Sequence, residues 1–257
     1  MSKNKFFSQL AFFIIFLIAI LLGKRLLTLL LLDSWVDSYT IHTLLLIGTN
    51  SLMALVSIYF IKKHDLSKLA GITKRKVEKL SLLIFPLLYV PIINLLSIDT
   101  IPTIDFFTNI SLLIVYCISI GLAEELSIRG FIQSFIIKYL GSTHKNAFIA
   151  VLASALIFGL LHLIKFDKGL YGEISQVIYA TFIGVLFGVL LLITKRLYPL
   201  IIIHAIIDFA GKLDTIGQPF KETISKPWSF ENSIITILFV LPYLIYALVL
   251  TKRHKLI

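Results

Sequence analysis

Three short motifs place ionisable side chains inside apolar stretches of the sequence. They are Glu124-Glu125-x-x-x-Arg129, Phe158-x-x-x-His162 and His204-x-x-x-Asp208. Ionisable groups inside a membrane are costly unless they are paired or hydrated, so each motif is a candidate for function. A desolvated carboxylate can act as a general base, and an imidazole can share the attacking water. These residue types therefore point to hydrolysis by an activated water molecule.

The first motif combines two adjacent carboxylates with one guanidinium. On an α-helix Glu125 and Arg129 are four residues apart and can form an ion pair, whereas Glu124 lies about 100° further round the helix. One carboxylate would then be neutralised while the other stays free, which is how neighbouring acids acquire different roles. A simple salt bridge at a helix end is the alternative interpretation.

The other two motifs also have alternative interpretations. His162 ends an apolar stretch and could be an interfacial residue, and His204 with Asp208 could be a pair that holds a helix interface. If all three motifs converge in a helical bundle, they would form a site that activates water and steadies a developing oxyanion. Glu124, His162 and His204 are also a suitable ligand set for zinc.

Signatures of other intramembrane hydrolases are missing from the sequence. It contains no His-Glu-x-x-His and no Gly-x-Ser-x-Gly. The single cysteine, Cys117, has no histidine near it in sequence, and we interpret it as a packing residue.

The elements that must position these motifs are membrane helices. Of 257 residues, 58% are hydrophobic and 15% are charged, and the mean hydropathy is +0.96. A soluble domain is about half apolar and about a quarter charged, so soluble enzymes, disordered tails and secreted disulfide scaffolds are excluded. The continuous apolar runs favour helices, which satisfy their own backbone groups in lipid. The net charge is +10, and the basic residues that cause it lie between the apolar runs. This distribution is typical of contacts with membrane lipid rather than with nucleic acid.

The apolar runs predict an all-α polytopic membrane helix bundle of about eight transmembrane helices, forming a single domain over residues 1–257. The predicted spans are 7–32, 41–61, 80–97, 106–123, 147–163, 174–194, 198–210 and 232–251.

The charges of the loops predict the orientation of the bundle. The basic loop 62–79 and the basic C-terminal tail are expected in the cytoplasm, and the acidic loops 33–40 and 98–105 outside. Lys24 and Arg25 are expected to extend towards the interface near one end of the first span. The sequence thus predicts a multi-pass protein of the cell membrane.

In this order and on these apolar segments, the motifs resemble those of the CPBP intramembrane proteases. This family includes the CAAX prenyl endopeptidases and the bacteriocin self-immunity (Abi) proteins, and the resemblance covers roughly residues 106–210. It implies a CAAX-protease-like catalytic core. By motif position, Glu124 would activate water that it shares with His162, while Glu125 and Arg129 would order the site.

The resemblance also implies that His204 and Asp208 support the oxyanion. Many family members have Asn at the last position, and an ionised Asp accepts hydrogen bonds but does not donate them. Asp208 would therefore be protonated, would orient His204, or would belong to a metal-dependent site. The implied substrates are prenylated C-termini, or leader-type and bacteriocin peptides.

The predicted spans place two motifs at different depths. Glu124 falls at the cytoplasmic end of its span, and His162 falls near the outer end of the next. Two arrangements would bring them together. Either the first helix crosses more deeply and is tilted or broken near Gly121 or Gly130, or residues 122–140 form a crossing of their own.

Three classes of function are compatible with buried acids and histidines. The first is an intramembrane endopeptidase that cuts a peptide or protein near the membrane surface. The second is a non-catalytic immunity or signalling scaffold that uses the same polar network. The third is a proton-coupled transporter, although no inverted repeat is visible. The ordered motifs favour the endopeptidase.

Overall fold

The computed structural model describes residues 2–33, 38–102, 105–165, 167–218 and 227–256. Within these ranges the regular elements are helices and none is a strand, in agreement with the predicted all-α class. The helices are α1 (Lys3–Asp33), α2 (Tyr39–Lys63), α3 (Ile84–Leu96), α4 (Phe106–Glu125), α5 (Ser134–Leu140), α6 (His144–Leu161), α7 (Gly169–Thr194), α8 (Tyr198–Ala210) and α9 (Phe230–Arg253). Residues 34–37 of the predicted outer loop lie outside the described residues.

Six helical stretches of the described chain are long and apolar enough to cross a membrane. They are Lys3–Leu31, Tyr39–Lys63, Phe106–Leu140, His144–Ile164, Gly169–Thr194 and Phe230–Arg253. Leu80–Leu96 and Tyr198–Ala210 are apolar but shorter than the roughly 20 residues of a full crossing. The polytopic helical bundle is confirmed, whereas the number of about eight crossings stays a prediction.

The helix that begins at Phe106 extends far beyond the predicted span 106–123. α4 passes into a π-helical segment, Leu126–Gln133, which continues directly into α5. The prediction ended the span where charged residues interrupt the apolar run. Glu125 and Arg129 are instead paired inside the protein and Glu124 faces a cavity, so these charges do not end the helix. Residues 122–140 are therefore not a separate crossing, and the deeper crossing is the arrangement present.

This continuous helix removes the conflict in depth between Glu124 and His162. Glu124 lies 16 residues before the run ends at Leu140, and His162 lies 18 residues after α6 begins at His144. At about 1.5 Å per residue, both stand roughly 25 Å along their helices from the connecting turn. The first two motifs therefore come to a similar depth.

The basic loop, the turn between α5 and α6, and the C-terminal end lie at one end of the bundle. Lys138 of α5 donates a hydrogen bond to the carbonyl oxygen of His64 at 2.6 Å. Lys79, at the end of the basic loop, lies with its Nζ atom 2.9 Å from Nδ1 of His254, which follows α9. These contacts agree with the prediction that loop 62–79 and the C-terminal tail share one side of the membrane.

Glycines allow the motif-bearing helices to approach closely. A Cβ atom at Gly121 of α4 would lie 2.7 Å from the carbonyl oxygen of Ile201 on α8. A Cβ atom at Gly159 of α6 would lie 2.7 Å from the carbonyl oxygen of Val177 on α7. Small residues at such positions permit backbone-to-backbone packing of membrane helices. The glycine on α4 therefore brings the first and third motifs together.

Candidate active site

The three motifs contribute side chains to one cavity of about 440 Å³. Glu124 comes from α4, His162 from the 3₁₀ turn that follows α6, and His204 and Asp208 from α8. Most of the other lining residues are apolar. A few polar groups that converge in an apolar cavity are the usual arrangement of a binding or catalytic site.

Glu125 and Arg129 do not line this cavity but form a fully buried pair behind it. Arg129 Nη1 donates to Glu125 Oε1 at 2.8 Å, which is the contact that the four-residue spacing predicted. The guanidinium lies over the rings of Phe158 and Phe187, at 4.8 and 5.5 Å from their centroids. Aromatic faces attract a cation, and removal of either charge would leave the other uncompensated. The pair is therefore a rigid support for its surroundings.

His204 lies between the two glutamates of the first motif. Its Nδ1 is 2.8 Å from Glu125 Oε1, and its Nε2 is 3.4 Å from Glu124 Oε2. Because Glu125 is held as a carboxylate by Arg129, it can only accept, so Nδ1 carries a proton and donates. The Glu125 side chain is fully buried, whereas 27% of the Glu124 side chain is exposed. His204 thus connects the buried ion pair to the carboxylate in the cavity.

His162 is oriented by its own helix. Its Nδ1 lies 2.9 Å from the carbonyl oxygen of Phe158, four residues earlier. A carbonyl oxygen only accepts, so Nδ1 donates, and in the neutral ring Nε2 keeps a lone pair that can accept a hydrogen bond from water. The Phe158 ring meets the imidazole edge to face, with centroids 4.9 Å apart. The second motif therefore fixes both the tautomer and the direction of this histidine.

Asp208 lines the cavity but is paired with Lys212 instead of His204. The Asp208 Oδ1 atom lies 3.9 Å from Lys212 Nζ, which follows one helical turn later. The Asp208 carboxylate raises the pKa of Lys212, so the ammonium stays charged. The contact that orients His204 comes from Glu125, 79 residues away in sequence. The geometry therefore does not support orientation of His204 by Asp208.

The predicted zinc ligands, Glu124, His162 and His204, do not fit a metal ion as they are arranged. In the described part of the chain, no three His, Cys, Asp or Glu side chains are grouped so that they could hold one. We therefore derive no step through a metal.

Basic residues of the cavity were not identified as site residues from the sequence. Those that line it are Lys24, Arg25, Lys165, Lys168 and Lys212. Lys24 Nζ donates to Asn50 Oδ1 at 3.0 Å, and Arg25 donates to the carbonyl oxygen of Ile164. α1 thus turns Lys24 and Arg25 to the cavity, a contact that the sequence did not predict. The only sign of these two residues in the sequence is that they interrupt an apolar run, and they would do so whether their side chains reach the membrane interface or a cavity.

The part of the chain that carries the motifs matches a known protein family. Residues 106–210 match the family model described as Type II CAAX prenyl endopeptidase Rce1-like. The match covers about two fifths of the chain, from α4 to α8, and includes all three motifs. Searches of curated proteins and of solved structures gave no match. The match supports the resemblance of residues 106–210 to the CPBP family intramembrane proteases, and the three motifs of this segment meet at one cavity of a multi-pass helical bundle.

Proposed function

We propose that this protein is an endopeptidase that hydrolyses a peptide bond of a membrane-associated protein or peptide by means of an activated water molecule. The observation that carries the proposal is the placement of Glu124, His162 and His204 around one cavity, with His204 held by Glu125. The Rce1-like match supports a CAAX-type intramembrane endopeptidase in general.

In the proposed reaction, Glu124 is the general base and His162 positions the water. Glu124 takes one proton from the water as its oxygen bonds to the carbonyl carbon of the cleaved peptide bond. His162 Nε2 accepts a hydrogen bond from the other hydrogen of that water. Glu124 then passes its proton to the leaving nitrogen as the C–N bond breaks, which yields a carboxylic acid and an amine.

His204 is the group that we assign to the developing oxyanion. In its imidazolium form both ring nitrogens donate, Nδ1 to Glu125 and Nε2 into the cavity. A donor fixed in advance stabilises negative charge without reorganisation during the reaction. Glu125 and Arg129 are then positioning residues, since they hold the imidazole but do not reach the cavity.

The substrate classes that we consider are prenylated C-termini and leader-type or bacteriocin peptides. Cleavage of the second class would give the protein a role in peptide processing or bacteriocin self-immunity. A non-catalytic immunity scaffold makes a different prediction. If the Glu124→Gln protein protected cells as fully as the unmodified protein, protection would not depend on catalysis.

The direct test uses the full chain in lipid nanodiscs with quenched fluorescent peptides, prenylated and unmodified. Glu124→Gln removes the base and is expected to lower cleavage by at least about 100-fold. Glu231→Gln is the matched control, because Glu231 is exposed at the start of α9, outside the cavity lining. Equal cleavage by Glu124→Gln and unmodified protein would contradict the proposal.

A further inference from the structure

Positive charge exceeds negative charge on the wall of the catalytic cavity. Three acidic side chains line it, namely Glu124, Asp167 and Asp208, against the five basic side chains named above. Of the acids, Glu124 is the proposed base and Asp208 is paired with Lys212. Cations inside an apolar cavity raise the local concentration of an anionic ligand. This excess of positive charge therefore favours a negatively charged ligand.

Lys24 is held in the cavity by uncharged partners. It donates to Asn50 Oδ1 at 3.0 Å, and Asn50 Nδ2 in turn lies 3.0 Å from Ser119 Oγ on α4. Within the described residues no carboxylate forms an ion pair with Lys24. A chain of neutral hydrogen bonds fixes the position of the ammonium without cancelling its charge. Lys24 is therefore pre-positioned to bind an anion.

The neighbouring cations have different arrangements. Arg25 donates to the carbonyl oxygen of Ile164, which ties α1 to the turn that carries His162. Lys168 donates to Gln176 Oε1 at 2.8 Å. Lys165 is exposed at the cavity, and in the described chain no carboxylate forms an ion pair with it. Arg25 and Lys168 also lack a carboxylate partner in the described chain, but Arg25 is committed to a backbone carbonyl and Lys168 also lies over the Trp228 ring, 4.8 Å from its centroid. We therefore assign Lys24 and Lys165 as the two cations that bind a ligand.

We propose that Lys24 and Lys165 form a subsite that binds a carboxylate of the substrate peptide, an inference that rests on the proposed function. The subsite and Glu124 share one cavity of about 440 Å³. A ligand of the two lysines must therefore leave room for the cleaved peptide bond beside Glu124. A peptide that carries a carboxylate near the cleaved bond satisfies both requirements. A lipid phosphate in the same place would instead compete with the substrate. The carboxylate is either the C-terminus of the peptide or an Asp or Glu side chain.

This proposal gives α1 a function although it lies outside the segment that matches the family model. The matched segment supplies the groups that act on the peptide bond. α1 supplies one of the two cations that select the substrate, and Arg25 fixes the helix to the site. Loss of Lys24 is accordingly expected to weaken binding more than it slows the chemical step.

The test measures peptide binding to the Glu124→Gln full chain, which keeps the cavity but lacks the base, in nanodiscs of uncharged lipid. The probes are three dansyl-labelled apolar hexapeptides of Leu, Val and Ala. One has a free C-terminal carboxylate, the second is amidated, and the third is amidated with one Glu side chain. We expect the first to bind about tenfold more tightly than the second, as one charge-assisted contact predicts. The affinity of the third peptide separates a side-chain carboxylate from the C-terminus.

Charge variants identify the subsite. Lys24→Met and Lys165→Met should each remove most of the carboxylate preference, and Lys24→Arg should restore much of it. Lys252→Met is the matched control, because Lys252 is exposed near the C-terminal end of α9 and should leave the preference unchanged. Equal binding of the first two peptides, or a preference that survives in both Met variants, would overturn the proposal.

Two further outcomes separate this proposal from its alternatives. If nanodiscs with phosphatidylglycerol displace the peptide through the same lysines while the peptide carboxylate has no effect, the subsite binds a lipid headgroup and the proposal is wrong. If unmodified protein cleaves the amidated and free peptides with equal KM, the carboxylate subsite fails but the protease stands. If binding shows the preference but no peptide is hydrolysed, the proposed function fails instead.

Discussion

His204 is held by Glu125, with its Nδ1 atom 2.8 Å from Glu125 Oε1. The same carboxylate oxygen accepts a hydrogen bond from Arg129. A buried ion pair that faces no substrate therefore determines the direction of an imidazole that does face the cavity. The two adjacent glutamates consequently have different tasks, one in support and one in chemistry.

This division predicts that substitution of either glutamate lowers activity, whereas only substitution of Glu125 lowers stability. Glu125→Gln leaves Arg129 buried without its counter-charge, so it should lower the free energy of unfolding by roughly 3–5 kcal/mol as well as reduce activity. Glu124→Gln should abolish activity with little change in stability, because its side chain is partly exposed to the cavity. Thermal unfolding of both variants in the same detergent checks the prediction. The account would be wrong if Glu124→Gln were the less stable of the two.

Close packing of α4 on α8 should be essential for the site. Gly121→Ala places a Cβ atom 2.7 Å from the carbonyl oxygen of Ile201, so the helices must separate. Overpacking of this kind costs about 1–3 kcal/mol and should shift His204 away from Glu124. Gly48→Ala is the matched control, since a Cβ atom there meets nothing within 4 Å. Cleavage rates and melting temperatures of the two variants are the measurement, and equal rates would contradict the expected dependence.

Asp208 should affect the pH range of substrate binding. Its carboxylate raises the pKa of Lys212, so Asp208→Asn should lower that pKa. A lysine with a lower pKa loses its charge earlier as the pH rises. Lys212 lines the same cavity as Lys24 and Lys165, so its charge adds to the attraction of a carboxylate. In the Asn variant the affinity for carboxylate peptides should therefore begin to fall at a lower alkaline pH than in unmodified protein. Binding titrations at several pH values check this, and coincident profiles would show that Lys212 does not contribute.

Chelators should leave cleavage unchanged. In the described part of the chain, no three His, Cys, Asp or Glu side chains are grouped so that they could hold a metal ion. Incubation of the purified protein with 1,10-phenanthroline, followed by an activity assay, is the measurement. Inhibition that added zinc reverses would instead assign His162 and His204 to a metal.

The helical bundle and the i,i+4 contact of Glu125 with Arg129 could be predicted from the sequence, because both depend on local patterns. The extent of the helix that contains them could not. A hydropathy pattern treats Glu124 and Glu125 as the end of an apolar run, and it cannot show that an ion pair is hidden within a longer helix. That error placed Glu124 and His162 at different depths.

Contacts between distant segments could not be predicted from the sequence either. The approach of His204 to Glu125 spans 79 residues and leaves no periodic signal, so the sequence suggested Asp208 as its partner instead. Lys24 interrupts an apolar run in the same way whether it reaches the interface or a cavity. Its direction depends on how α1 packs, which is a tertiary property.

The most direct test of the account is whether Glu124 and His204 lie together within the membrane. In a Cys117→Ser background, the Glu124→Cys/His204→Cys protein is treated in nanodiscs with a short bifunctional thiol reagent, and linked peptides are identified by mass spectrometry. The native side-chain tips are 3.4 Å apart, so the two shorter cysteine side chains should lie within the span of such a reagent and become cross-linked. The Ser142→Cys/His204→Cys control, with Ser142 in the turn after α5, should stay unlinked. Cross-linking of the control, with none between positions 124 and 204, would contradict the shared site.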